Sequence, residues 1–253
     1  MSSTLVARSR AGWQKAGGAA AVLTLMAACG LKAAYSTAGA RELAWVLGPS
    51  CWVARRLGGV QLAWEAGAGW ISHQPRMVVG PACAGVNFMV VAWLALFFSQ
   101  QAHCVGMRRK FAWCCASLLA AYGATLATNG LRIVLAAHLY GADIYAGWFT
   151  RERLHRLLGV VLYCSALLGA CRAAEACVSS QAPRRTSSLR LAPFYWYAAV
   201  VIGVPLANRA CVRDPVRFAE HAVLTLAVGM AVVWLWRGIG RLVDRLCSRG
   251  ARS

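Results

Sequence analysis

The stretch GPACAGVNFMVVAWLALFF, residues 80–98, joins a small polar cluster to a continuous apolar run. As a helix it has about the length needed to cross a hydrocarbon core roughly 30 Å thick. Such a helix needs apolar bulk, yet Cys83, Gly85 and Asn87 lie together at its beginning. The stretch therefore predicts a membrane-spanning helix whose first residues serve another purpose.

The whole chain has the composition of a membrane protein. Of its 253 residues, 59% are hydrophobic and only 14% are charged, whereas a soluble domain carries about 25% charged residues. The apolar residues form runs of roughly 17–30 residues, each suited to a membrane-spanning helix. We therefore predict an all-α polytopic membrane protein in which residues 1–253 form one integral membrane domain.

Six transmembrane spans are predicted, near residues 16–37, 82–99, 111–140, 155–171, 191–208 and 218–236. Ala38-Gly39-Ala40 resembles a signal-peptide cleavage site, but Lys32 and the long spacing favour an uncleaved first span. The segments assigned to the inside hold fifteen basic residues, and the longer outside segments hold about ten. This bias predicts that both termini are cytoplasmic.

The longest outside loop, residues 38–81, has two parts. ELAWVLGPSCWVARRLGG, residues 42–59, mixes apolar and basic residues and is expected to lie in the membrane interface. VQLAWEAGAGWISHQPRMVVG, residues 60–80, alternates around a Gly-Ala-Gly turn and predicts a short hairpin.

The charge and the cysteines exclude several classes of function. A net charge of +19 would suggest nucleic-acid binding in a soluble chain. Here most basic residues flank apolar runs, so the lipid bilayer is the expected partner and nucleic acid is not. Eleven cysteines include no C-x-x-C pair, and most lie inside predicted spans. Neither a metal nor another cofactor is expected.

The third predicted span contains one charged residue, Arg132. At about 1.5 Å per residue it lies roughly 32 Å beyond Phe111, near the outer boundary of the bilayer. Thr128 and Asn129 precede it by four and three residues and share its helical face. Such an arginine typically faces the helix bundle or a wet cavity and marks a function. The alternative is an arginine that anchors the helix end by snorkelling.

Cys83 reaches the same boundary, because its span enters the membrane from outside. Pro81 suits a helix start, and the first-turn N–H groups would favour a thiolate at Cys83. Asn87, one turn later, is positioned to donate a hydrogen bond to it, and Gly85 permits close backbone approach. The alternative is an inert, buried structural cysteine.

His155 opens the fourth span, again from the outer side, and Glu152 three residues earlier is expected to orient its imidazole. The main rival is His221, which opens the last span on the same side. The other histidines fit less well and are His73, His103 and His138. A cysteine, an arginine and a histidine from three spans thus converge on one boundary. This set suits nucleophilic catalysis by a thiolate, a proton carrier and a fixed cation.

Three motifs carry a family resemblance: PACAGVNF around Cys83, TNGLRIV around Arg132 and RLHRLLGVVLY around His155. In this order the sequence resembles the exosortase/archaeosortase family of membrane-embedded cysteine transpeptidases and proteases. ELAWVLGPSCWVARRLGG and GAGWISHQPRMVVGPACAGVNF look most like the exosortase K subtype. The resemblance extends from roughly residue 35 to the end of the fourth span, and more loosely through PLANRA and FAEHAV.

The resemblance implies that Cys83, Arg132 and His155 are catalytic. Their positions along the helices add Asn87, Asn129 and Glu152 as candidate supporting residues. The implied substrate is a membrane-anchored exported protein whose C-terminal sorting signal combines a short motif, a transmembrane helix and a basic tail. Cleavage would occur on the outer, periplasmic side of the bacterial plasma (inner) membrane. Ala84 stands where many relatives have serine, a form that subtype K relatives share.

Two other classes remain open. A non-catalytic membrane protein, either a small transporter or an envelope-assembly scaffold, would explain the spans and the intramembrane arginine. A transporter would be expected to interrupt its spans near mid-membrane, whereas here the polar residues gather at one boundary. A metal-dependent intramembrane protease would need clustered histidines or acids within the spans, and no such motif occurs.

Overall fold

The structure, a computed structural model, describes residues 3–142, 144–179, 192–207 and 209–250. It is 78% helical, and in these residues five helices are long and apolar enough to cross a membrane. The prediction of a helical polytopic membrane protein is confirmed at this level. The helices are α1 (Ser3–Thr37), α2 (Ala44–Gly58), α3 (Val86–Gln100), α4 (Met107–Tyr140), α5 (Arg151–Ser179), α6 (Ala192–Ala207), α7 (Ala210–Arg213) and α8 (Pro215–Gly250).

The five long apolar helices are α1, α3, α4, α5 and α8. The predicted fifth span coincides with α6, which has 16 residues, fewer than the roughly 20 that a span needs. Residues 191 and 208, the predicted ends of that span, lie outside the described residues. Most of the other helices are longer than predicted, because the residues that flank the apolar runs are good helix formers such as alanine, arginine and leucine.

The central helix of the bundle is α3. In its span 72% of the residues are buried, against 11–28% in the other four long helices. It packs against α1, α4, α5 and α6. Its residues are apolar on every side, the pattern expected of a helix enclosed by other helices.

The chain enters α3 differently from the sequence prediction. A 3-10 turn, Pro81–Cys83, precedes the helix, and Gly85 adopts a left-handed conformation with φ of +72°. This conformation interrupts the helix, which begins only at Val86. Cys83 therefore lies before the helix and not in its first turn. The prediction that the first-turn N–H groups of this helix activate the Cys83 thiol is therefore wrong.

The loop between α1 and α3 contains a small sheet. Its strands are β1 (Ala63–Glu65), β2 (Gly69–His73) and β3 (Arg76–Val79), antiparallel in the order β1-β2-β3. The predicted hairpin is confirmed as β1 and β2, and the third strand was not predicted. Because β3 pairs on one side only, it is an edge strand, and Cys83 follows its last residue by four positions.

Helix α2 packs closely against α4 near Arg132. A Cβ atom added to Gly130 would lie 2.5 Å from Cγ1 of Val53 and 3.2 Å from the carbonyl oxygen of Ser50. No side chain larger than hydrogen fits there. The glycine of the TNGLRIV motif therefore allows α2 to lie directly against α4, on the side next to the one that carries Asn129.

Candidate active site

The candidate site surrounds a cavity of about 510 Å³, a volume within the range of small-molecule and cofactor pockets. Three segments that contact one another contribute polar groups to it: the turn before α3, the C-terminal half of α4 and the first turns of α5. These polar groups include Cys83, Asn129, Arg132 and His155. The sheet forms the opposite wall through residues of β2 and β3.

Cys83, His155 and Arg132 meet at one point of this cavity. The Sγ atom of Cys83 lies 3.9 Å from Nε2 of His155. A terminal nitrogen of the Arg132 guanidinium, Nη2, contacts the same Nε2 atom. The structure therefore brings together the three residues that were predicted to converge from separate spans.

The contact with Arg132 indicates the protonation state of the His155 imidazole. A guanidinium has only donors, so Nε2 of His155 accepts a hydrogen bond from Arg132. The imidazole is then neutral, with its proton on Nδ1. The same Nε2 atom lies 3.9 Å from the Cys83 sulfur. Because it has one lone pair, it can accept the thiol proton only when the hydrogen bond from Arg132 is released.

A hydrogen-bonded chain connects the cation to the backbone of Cys83. Nη1 of Arg132 donates to Oη of Tyr163 at 2.8 Å, and this hydroxyl donates to Oδ1 of Asn129 at 3.1 Å. The amide nitrogen of Asn129 donates to the carbonyl oxygen of Cys83 at 2.6 Å. Tyr35 of α1 reaches the same turn by donating to the carbonyl of Pro81 at 3.2 Å. These contacts fix the turn that carries the thiol.

Gly85 allows Tyr163 to approach the turn. A Cβ atom at this position would lie 3.2 Å from both Oη of Tyr163 and Cγ2 of Thr125, and its positive φ would strain any larger residue. The Tyr163 ring stacks on Phe88 with a centroid separation of 4.6 Å and an interplanar angle of 11°. The close backbone approach predicted at Gly85 is confirmed.

Of the three candidate supporting residues, only Asn129 lies in the site as predicted. Asn129 is fully buried, and it shares a buried face with Thr128 and Arg132 as predicted. Asn87 is exposed on α3, and within the described residues it forms no hydrogen bond with Cys83, because the left-handed Gly85 changes the chain direction between them. Glu152 is also exposed.

The expected contact of Glu152 with His155 is not formed. The Glu152 carboxylate accepts hydrogen bonds from Arg156 at 2.5 Å and from Arg217 at 3.0 Å. Arg156 lies one turn after Glu152 on α5, and Arg217 lies on α8. Both are charged, so they bind the Glu152 carboxylate in preference to the neutral imidazole of His155. Glu152 thus connects two helices and does not orient the imidazole.

The other histidines are not beside the thiol. Nε2 of His221 lies 3.3 Å from the carbonyl of Val201 on α6, and Nδ1 of His138 lies 2.8 Å from the carbonyl of Val134. His103 is exposed. His73 lines the cavity from the sheet, where it lies 3.5 Å from Glu65. Among these five histidines, His155 is the one in contact with both Cys83 and Arg132.

Tyr163 was overlooked in the sequence, although a signal for it was present. His155, Gly159 and Tyr163 follow one another at intervals of four residues and therefore share a helical face. The sheet wall of the cavity was also missed, since nothing in the hairpin pattern shows which structure it faces.

Replacing Tyr163 with phenylalanine is expected to slow a reaction at Cys83 by about tenfold, because the link between Arg132 and Asn129 is lost while the stacked ring remains. The rate of Cys83 alkylation by iodoacetamide at neutral pH measures this effect. Tyr197, also buried but not part of the chain of hydrogen bonds, provides the control as Tyr197→Phe. Equal rates in the two variants would contradict a positioning role for Tyr163.

Within the described residues, no group of three or more histidine, cysteine, aspartate or glutamate side chains is arranged to hold a metal ion. The chain matches no protein-family model, no curated protein and no solved structure.

Proposed function

We propose that this protein is a membrane-embedded cysteine protease or transpeptidase of the exosortase type. One observation carries the proposal: Sγ of Cys83 lies 3.9 Å from Nε2 of His155, which also contacts Arg132. A nucleophile, a base and a fixed cation, each from a different segment, line a single cavity. This is the arrangement that nucleophilic acyl transfer requires.

In the proposed reaction Arg132 releases Nε2 of His155, which accepts the thiol proton, and the Cys83 sulfur attacks the scissile carbonyl of the substrate. The new S–C bond gives a tetrahedral intermediate, whose C–N bond then breaks. His155 returns the proton to the leaving amine, and a thioester remains on Cys83. Water or an acceptor amine attacks this thioester and releases the thiol, which completes hydrolysis or transpeptidation.

Arg132 is proposed to stabilise negative charge on the thiolate and on the tetrahedral oxyanion. It is permanently charged and its side chain is only 8% exposed, so water screens it weakly. The hydrogen bond to Tyr163 holds it in place before the reaction begins. A cation already held beside the thiol stabilises a developing charge with little reorganisation.

The proposed setting is the bacterial plasma (inner) membrane, with six spans, both termini cytoplasmic and the cavity on the outer side. Helix α2 supports an interfacial location, because it buries one face and exposes Trp45 and Trp52 beside Arg55 and Arg56. The proposed substrate is a membrane-anchored protein with a C-terminal transmembrane sorting signal. Its gene is to be sought beside that of the enzyme.

Site-resolved labelling with iodoacetamide at pH 7, in membranes, tests whether Cys83 is a nucleophile. We expect Cys83 to react about tenfold faster than the other cysteines, because a base and a cation accompany it. The Cys83→Ala variant identifies the labelled peptide. Labelling of Cys83 no faster than that of the other cysteines would favour the non-catalytic transporter or scaffold.

Cys51 provides the matched control. It is buried in α2, and burial raises the pKa of its thiol to about 12. A thiol is protonated below its pKa, and Cys51 is also fully buried, so we expect it to be unreactive at pH 7. Cys51→Ala should therefore leave the labelling pattern at pH 7 unchanged.

A further inference from the structure

The open edge of β3 is in the same cavity as the candidate nucleophile. All four residues of the strand, Arg76–Val79, line the cavity that contains Cys83. Side chains alternate between the two faces of a strand, so a cavity under one face would contact alternate residues only. The cavity contacts successive residues of both β2 and β3, so it extends across the sheet as far as its outer strand, β3.

The backbone along this edge has free hydrogen-bonding groups. In an edge strand, alternate residues direct their N–H and C=O groups away from the sheet. In the described part of the chain, Arg76–Val79 form no backbone hydrogen bond other than those of the sheet. Free backbone groups close to a membrane are costly unless water or a partner satisfies them.

We propose that β3 binds the substrate as an additional strand, so that the extended segment preceding the scissile bond pairs with this edge. The inference rests on the proposed function and specifies the form in which the substrate binds. The continuity of the chain supports this occupant. Val79 is followed after four positions by Cys83, in a turn fixed by Asn129 and Tyr35. A peptide paired with β3 is thus directed toward the thiol.

The membrane topology of the proposed substrate indicates which segment, the one before or the one after the scissile bond, pairs with β3. The segment after the bond continues into the substrate's own transmembrane helix, so it runs toward the bilayer. The segment before the bond extends away from the bilayer, and the sheet occupies the loop between α1 and α3 at that end of the bundle. The preceding segment becomes the acyl group on Cys83, and β3 would hold it throughout the reaction.

Backbone pairing gives a mode of recognition that depends weakly on sequence. In strand addition the main-chain hydrogen bonds provide affinity, and side-chain pockets provide selectivity. The helical wall opposite β3 includes the apolar residues Ile133 and Ala136, and two cations, Arg76 and Arg132, also line the cavity. The site would therefore accept many apolar or acidic extended segments and disfavour basic ones, with the membrane anchor contributing the remaining selectivity.

The test uses acetyl-tetra-alanine chloromethyl ketone, which alkylates thiols, together with two analogues N-methylated at the second or the third alanine. Adjacent amides in a strand point to opposite edges, so only one of the two methyl groups can remove a hydrogen bond to β3. We expect one analogue to label Cys83 about tenfold more slowly than the parent and the other to label it at nearly the parent rate. The two analogues share a reactive group and differ only in which amide is blocked, so each is the control for the other.

Equal labelling rates for the two analogues, whether both fast or both slow, would overturn strand addition. If iodoacetamide still labels Cys83 preferentially in that case, the proposed nucleophile stands and only the mode of binding is wrong. If no reagent labels Cys83 preferentially, both the mode of binding and the proposed function are wrong.

Discussion

Replacing His155 with alanine is expected to slow substrate processing by about 10³-fold, the usual contribution of general acid–base catalysis. His155 is the histidine whose Nε2 atom lies 3.9 Å from the Cys83 sulfur, so its loss removes the base that accepts the thiol proton. The same change removes the acid that protonates the leaving amine. The half-time for cleavage of the membrane-anchored substrate, followed by immunoblotting, measures the effect.

His221→Ala is the matched control for this experiment, because His221 was the main rival in the sequence. Its imidazole lies against the carbonyl of Val201 on α6 and does not line the cavity. We expect processing in this variant within about twofold of the unchanged protein. A large loss in His221→Ala with normal processing in His155→Ala would reverse the assignment of the base.

Replacing Arg132 with lysine is expected to slow processing by about 10²–10³-fold although the positive charge remains. One guanidinium contacts both His155 and Tyr163 through its two terminal nitrogens. A lysine ammonium is a compact charge on a flexible chain and does not reproduce this fork. The charge would be present, but it would not be fixed beside the thiol.

The Arg132→Lys experiment needs a check that the protein is folded, because Arg132 is buried. Thermal unfolding in detergent provides it. Arg217→Lys is the matched control: its side chain is 61% exposed and pairs with Glu152, so we expect no change in processing. Normal processing in Arg132→Lys would show that charge alone suffices and that the fork geometry is dispensable.

The positions of the three central residues could be predicted because helices have a fixed rise and span a membrane of known thickness. Counting from Phe111 located Arg132 at the level where Cys83 and His155 open their spans. Consecutive spans run in opposite directions, which brings the start of one to the end of the next. The apolar runs fixed the helices to within a few residues at the ends that matter for the site.

The local contacts could not be predicted in the same way. Spacing along α5 places Glu152 near His155, but it places Arg156 equally near, and Arg217 arrives from a helix distant in sequence. The choice among partners depends on how α5 and α8 pack. Likewise, the exposure of Asn87 follows from one left-handed residue, Gly85, which periodicity does not reveal.

The third strand and the close packing of α2 depend on long-range contacts. Arg76–Val79 has only four residues, too few for alternation to distinguish a strand from a loop. The contact of Gly130 with Val53 joins segments far apart in the chain. A glycine next to Asn129 indicates a close approach of some neighbour, but not which one.

Asn129 holds Cys83 through its carbonyl oxygen and not through its sulfur. The acceptor is a backbone atom, so this hydrogen bond does not depend on the thiol. A Cys83→Ala protein should consequently retain the shape of the cavity while lacking the atom that attacks. Such an inactive variant would bind the substrate without cleaving it. The bound substrate is then available for chemical crosslinking and identification by mass spectrometry.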